Sequence, residues 1–197
     1  IRMQEQRETA TFVSRELSEQ RAKPPIRRVG KLPEKPKGKL PTGDPAMIFQ
    51  VLTEEQLSPE LAALKPQYLY VPLTLMTEKL DLLRPFAEQG TIPVAVLPRV
   101  IADNEAAAVY DMLSRMFDQG VNEALVGNLG HAMLAKKAGM KLRGDFGLNT
   151  FNSLSMEVIR QAGFISATAS FELRLSQIRD MIKPLDTELI IYGRIPL

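Results

Sequence analysis

The feature that most constrains the fold is an alternation. After about residue 45, short apolar or β-branched runs recur: "AMIFQVL" from Ala46, "YLYVPLTL" from Tyr68, "IPVAVLP" from Ile92, "EALVGN" from Glu123, "KLRGDFGLN" from Lys141, "FISATAS" from Phe164 and "ELIIYGRIPL" from Glu188. Their starts lie 18 to 31 residues apart, the length of one strand plus one crossover helix. Between them the apolar spacing turns helical, as in "NEAAAVYDMLSRMFDQG", where Ala108, Met112, Arg115 and Met116 step round one side. Strands alternating with helices imply a parallel sheet with right-handed crossovers, buried on both faces. Seven such units point to a (β/α) TIM-barrel-like fold, incomplete at the C-terminus, with an open parallel α/β sheet as the alternative. Gly90, Gly120, Gly139 and Gly163 stand where helices should end before the next strand.

The region upstream has another character. Residues 21–40, "RAKPPIRRVGKLPEKPKGKL", hold eight Lys or Arg and one Glu, so of the 25 basic and 23 acidic residues in the chain, 17 and 22 lie elsewhere. Pro24, Pro25, Pro33 and Pro36 forbid a regular helix, and residues 24–45 therefore read as an extended basic linker. Arg27, Arg28, Lys35 and Lys37 could meet RNA phosphates, although no aromatic residue between Arg21 and Leu40 is present to stack a base. A solvated tether is the simpler reading. Residues 1–23 carry Ala10, Val13 and Leu17 at helical spacing and read as one helix. Residues 46–197 form the barrel-like domain. Ile1 in place of a starting methionine, and the apolar "LIIYGRIPL" at the other end, suggest a piece of a longer protein.

With 45% hydrophobic and 24% charged residues the composition is that of a soluble globular protein. No apolar run reaches the ~18–20 residues of a bilayer span, so a cytoplasmic location without a membrane partner is expected. The absence of cysteine excludes disulfides, thiolate metal sites and a cysteine nucleophile within these residues. No metal site and no cofactor are expected within them.

In either architecture the chemistry belongs at the C-terminal ends of the strands. The polar residues there are Arg99 after "VAVLP", Asn128 and His131 with "ALVGN", Asp145, Asn149 and Asn152 with "KLRGDFGLN", Ser170 and Glu172 with "ISATAS", and Arg194 after "LIIYG". Asp145, Glu172 and His131 are the titratable candidates for catalysis; each also reads as a helix cap, an arginine partner or a locally bonded helix-start residue. Asn149 and Asn152 could present amides to a substrate or cap the helix beginning near Ser153. Arg99 and Arg194 could hold a carboxylate or phosphate through two parallel bonds, or join salt bridges at the barrel mouth. The "DFG" triplet at Asp145 is no kinase signature, because "HRD", a glycine-rich "GxGxxG" loop and "GxxxxGK[ST]" are all missing. Nor does an "HExxH" zinc motif or a "GxSxG" elbow occur.

One stretch carries a family likeness. "GDFGLNTFNSLSMEVIRQAGF", followed by "ATASFELRLSQI" and "ELIIYGRIPL", resembles the later part of the collagenase-like peptidases, peptidase family U32, in a long-form member. "YLYVPL", "AVLPRVI" and "LVGNLGHAMLAKKAGM" fit the same pattern, so the resemblance spans about Ala46 to Leu197. It implies a barrel and a peptidase acting on a protein or peptide substrate, with no assigned mechanism. Other members look like iron-sulfur proteins that hydroxylate RNA bases or quinone precursors, some with prephenate as hydroxyl donor. The resemblance thus also implies a possible iron-sulfur cluster elsewhere in the full-length protein, RNA as a partner, or a docking module serving other domains of the chain. Asn149, Asn152, Glu172 and Arg194 fall on the family's recurring polar positions. In "SFEL", Phe171 stands where the family carries proline.

Overall fold

The computed structural model describes residues 45–193. The helix and basic linker expected over residues 1–44, and Arg194, lie outside the described residues. Seven strands form one sheet: β1 (Ile48–Gln50), β2 (Tyr68–Pro72), β3 (Ile92–Val96), β4 (Glu123–Val126), β5 (Lys141–Gly144), β6 (Phe164–Thr168) and β7 (Asp186–Glu188). Their spatial order is their sequence order, and every neighbouring pair is parallel. A doubly wound sheet reverses its order partway; this one never does, and it curls into a half-barrel.

The helices that link the strands are α1 (Pro59–Ala63), α2 (Leu73–Glu78), α3 (Arg84–Ala87), α4 (Ala106–Asp118), α5 (Leu129–Lys137), α6 (Ser153–Gln161) and α7 (Leu175–Asp180). The side-chain period of two divides each strand between two environments. Leu69, Val71, Ala95, Ala124, Val126, Leu142 and Ala167 pack beneath the helices with Leu113 and Met116 of α4, Ala135 of α5, and Met156 and Ile159 of α6. Tyr70, Val94 and Leu125 face the concave interior, where Ile48, Tyr68 and Val96 join them. Fully burying a leucine or valine side chain stabilises by about 1.5–3 kcal/mol, so the layer under the helices holds most of the stabilising apolar surface.

The punctuation of the chain follows the glycines. Gly90, Gly120, Gly139 and Gly163 adopt φ of +87°, +88°, +86° and +86° at the ends of α3, α4, α5 and α6. A side chain disfavours this left-handed region, so glycine ends each helix cleanly and releases the chain toward its next strand.

Three expectations are corrected. The buried side of α4 is Val109, Leu113 and Met116, with Met112 half-buried, while Ala108 and Arg115 are exposed. The stripe drawn through Ala108 and Arg115 ran along the edge of the face, because the spacing admitted both and Arg115 was included in place of Leu113. The fifth strand stops at Gly144 instead of running on through "DFGLN": Asp145 caps a single 3-10 turn, Phe146–Leu148, and Asn149 closes it in the left-handed region at φ +50°. The last strand is Asp186–Glu188 and not the apolar run after it. Its three residues pair with Ser166, Ala167 and Thr168, and Ala169 N donates to Glu188 O as the last bond between the two chains among the described residues. Leu189 onward therefore has no ladder to join among the described residues, and Ile191 and Tyr192 are almost fully exposed.

Candidate functional site

The C-terminal ends of β3, β4 and β5 meet around an open cleft of about 450 Å³, lined by Arg99, Gly127, Asn128, Leu129, Gly147 and Leu148. Arg99 follows β3. Its guanidinium carbon lies 4.7 Å from the centre of the Phe146 ring, and Phe146 meets Phe171 edge-on with ring centres 5.8 Å apart. The cation is thus held over an aromatic face. The backbones of two loops close one side: a Cβ on Gly147 would lie 2.7 Å from the carbonyl oxygen of Gly127, so only glycine allows this approach.

Asp145 sits beside the cleft at the end of β5. Its Oδ1 accepts from Phe146 N at 2.8 Å, and its Oδ2 lies 3.4 Å from where a Cβ on Gly127 would be. Burial pushes its carboxyl above the ordinary aspartate value; the Phe146 amide and the positive charge of Arg99 pull it down, and the negative charge of Glu188 adds to the rise. The net direction is upward, toward a carboxyl that holds its proton longer.

Other expected residues serve local structure. Asn128 caps α5, accepting from Gly130 N at 2.9 Å. Asn152 caps α6, accepting from Leu154 N and Ser155 N at 2.9 Å each, while Ser155 Oγ accepts in return from Asn152 N at 3.1 Å. Asn149 is exposed on the 3-10 turn. His131 is half-buried in the first turn of α5; its N–H donates to Asn128 O at 3.0 Å, and its buried Nδ1 has no hydrogen-bond partner among the described residues. Glu172 is exposed in the turn after β6, with its backbone N–H directed at Ser170 Oγ, 3.4 Å away. Phe171 is exposed and braces Phe146. The cleft therefore gathers Arg99 and Asn128, with Asp145 beside it. His131, Asn149 and Asn152 lie on the loops and helix starts that follow β4 and β5, and Glu172 lies in the turn after β6.

The sequence reading missed a buried polar cluster on the concave face. Arg143 Nε donates to Glu123 Oε2 at 2.6 Å, and Nη1 donates to Glu188 Oε1 at 2.9 Å and Ser166 Oγ at 3.1 Å. Ser166 Oγ also donates to Glu188 Oε1 at 2.6 Å, and Tyr70 Oη donates to Glu188 Oε2 at 2.7 Å. The guanidinium lies flat against Tyr68, 3.7 Å from its ring centre. Burial alone would lower the Arg143 pKa, but the Glu123 hydrogen bond and the surrounding negative charges outweigh it and keep the cation. A register shift between Leu142 and Arg143 sets Ser166 opposite Arg143, as a bulge does when it re-aims a side chain. The available signal was a charged residue at alternating positions inside apolar strands: Glu123 in "EALV" and Arg143 in "KLRG".

Among the described residues no group of three or more His, Cys, Asp or Glu side chains is placed to hold a metal ion. No helix among them is long and apolar enough to cross a membrane. No protein-family model matches the chain, and no curated protein matches it by sequence. Among solved structures it is similar to the U32 peptidase Mk0906, with a TM-score of 0.54 and 13% identity over 78% of this chain and 71% of that one. What this chain shares with that peptidase is the α/β half-barrel fold.

Proposed function

We propose that this chain is a U32-peptidase-type half-barrel that engages a protein or peptide strand at the strand-end cleft, with Asp145 as its acid-base carboxyl. The observation that carries the reading is a half-buried carboxyl, its pKa raised by burial, near the cation of Arg99 beside a cleft open to solvent. A carboxylate at Asp145 can take a proton from an attacking water, and the proton so held is available to a departing amine. Arg99 would hold the substrate in the cleft through its cation. Glu172 and His131 are the other titratable groups near these strand ends, and Asn128, Asn149, Asn152 and Arg194 are substrate-binding candidates.

The test is cleavage of gelatin and fluorogenic peptides by the full-length protein and its Asp145→Asn, Glu172→Gln and His131→Gln variants. The asparagine keeps an acceptor for Phe146 N but cannot exchange a proton, so it should lower the rate by about 100-fold or more without loss of stability. Full activity in Asp145→Asn would remove Asp145 from the chemistry.

A second reading is favoured by the eight basic residues in positions 21–40. In it the protein is an RNA-modifying hydroxylase whose basic segment holds the phosphate backbone. The chain has no cysteine and does not fit an iron-sulfur cluster by itself, so thiolate ligands would come from outside these 197 residues. Anaerobic purification of the full-length protein, with a visible absorption spectrum and a search for copurifying RNA, tests it. Neutralising Arg27, Arg28, Lys35 and Lys37 should weaken RNA binding and flatten its salt dependence; unchanged binding would reject the role.

A further inference from the structure

Arg99 is the one cationic side chain lining the cleft, and its environment is unusual for an exposed arginine. It makes no ion pair and no side-chain hydrogen bond among the described residues, so none of its five donors meets an acceptor there. It is nonetheless oriented: the Phe146 ring lies beneath it, and Phe171 braces that ring. The neighbouring carboxyl of Asp145 already accepts from Phe146 N and forms no ion pair with Arg99 among the described residues. Asn128 spends its side-chain oxygen on Gly130 N and so leaves the guanidinium to an incoming acceptor. Gly127 and Gly147 keep the facing wall free of side chains.

We propose that the cleft is a carboxylate-recognition subsite in which the Arg99 guanidinium, pre-oriented over Phe146, grips a substrate carboxylate through two parallel hydrogen bonds. A planar fork matches a planar carboxylate, and a lysine at the same place would supply charge without that geometry. The carboxylate is either the free C-terminus of a peptide or an acidic side chain within it. The proposal rests on the peptide-binding reading above and gives that site a substrate preference.

The experiment is fluorescence anisotropy with the full-length protein and three labelled peptides of one apolar sequence: one with a free C-terminus, one amidated, and one amidated with an internal glutamate. The free-acid peptide should bind about 10-fold or more tightly than the amide. If the glutamate peptide binds equally well, the side chain is a source too; if it binds like the amide, the terminus alone is read. Arg99→Ala should erase the discrimination, Arg99→Lys should retain a part of it, and Phe146→Leu should reduce it while leaving the charge in place. Arg99 is exposed, so its substitution should leave the melting temperature unchanged. Equal affinity for all three peptides, or discrimination that survives Arg99→Ala, overturns the proposal. Competition by inorganic phosphate without any carboxylate preference also overturns it, in favour of a phosphate ligand. Discrimination without cleavage would keep the subsite and reject the peptidase; cleavage without discrimination would do the reverse.

Discussion

The Tyr70 hydroxyl on β2 donates to Glu188 Oε2 on β7 at 2.7 Å, although four strands stand between them in the sheet. In a flat sheet five steps of about 4.8 Å would hold these backbones about 24 Å apart, out of reach of two side chains. The bond is a chord across the concave face and is possible only because the sheet curls. Glu188 belongs to a strand of three residues, so its grip on Arg143, Ser166 and Tyr70 supplements a short ladder.

That cluster should dominate the response to interior substitutions. Tyr70→Phe leaves Glu188 Oε2 buried without its donor and should cost about 1–3 kcal/mol. Arg143→Met leaves Glu123 and Glu188 without their cation and should cost about 3–5 kcal/mol. Urea unfolding followed by circular dichroism reads both, and a double-mutant cycle between Tyr70 and Arg143 should show coupling through Glu188. Additive costs would mean that the chord and the ion pair act independently.

Asp145 should make the protein less stable as pH rises. Its folded-state pKa lies above the ordinary 3.8, so just above that value the native state binds more protons than the unfolded state. Stability contributed by the protonated carboxyl is fully present in acid and is lost as pH rises through the folded pKa. Asp145→Asn, which keeps an acceptor for Phe146 N, should therefore melt higher than the parent at neutral pH and approach it in acid. A melting difference that stays constant from pH 3 to pH 7 would count against this.

Much of the scaffold is legible in the sequence because it rests on local rules. Strand starts at Tyr68, Ile92, Glu123, Lys141 and Phe164 fall where the apolar runs begin, and the four positive-φ glycines close the preceding helices. The last strand was misplaced for a non-local reason: Leu189–Tyr192 is more apolar than Asp186–Glu188, but pairing is decided by which residues β6 has left to offer. The concave cluster was missed for a related one. Glu123, Arg143, Ser166 and Glu188 are far apart in sequence, and only the register shift and the curl bring them together. At the cleft, the positions after β3, β4 and β5 could be read from the pattern, whereas the seating of Arg99 on Phe146 could not.

The two asparagines of "LNTFN" should separate by backbone geometry. Asn152→Ala removes an acceptor used by two amides and should cost about 1 kcal/mol; Asn152→Asp should restore it, since a carboxylate caps as well and suits the helix N-terminus. Asn149 holds φ +50°, where alanine is strained by about 1–2 kcal/mol and glycine is at ease. Thermal melts of these four variants check the pattern. Peptide binding that falls in Asn152→Asp at full stability would give that side chain a direct contact with substrate beyond its cap.

Gly147 offers the sharpest test of the cleft, because its constraint comes from backbone. A Cβ there would lie 2.7 Å from the Gly127 carbonyl oxygen and 3.4 Å from two further backbone atoms of Gly127. No rotamer change relieves such a clash, so the two loops must separate. Gly147→Ala should cost about 1–3 kcal/mol, the usual range for overpacking, and should lower the affinity for a free-acid peptide with Arg99 intact. At Gly127 the added Cβ would meet only the Asp145 side chain, Oδ2 at 3.4 Å and Cβ at 3.7 Å, and a small rotation of the carboxyl relieves the closer contact. Gly127→Ala should therefore keep its stability and shift the titration of Asp145. Equal destabilisation by the two alanines, measured by urea unfolding, would show that the loops are not held by this approach and that another contact sets the width of the cleft.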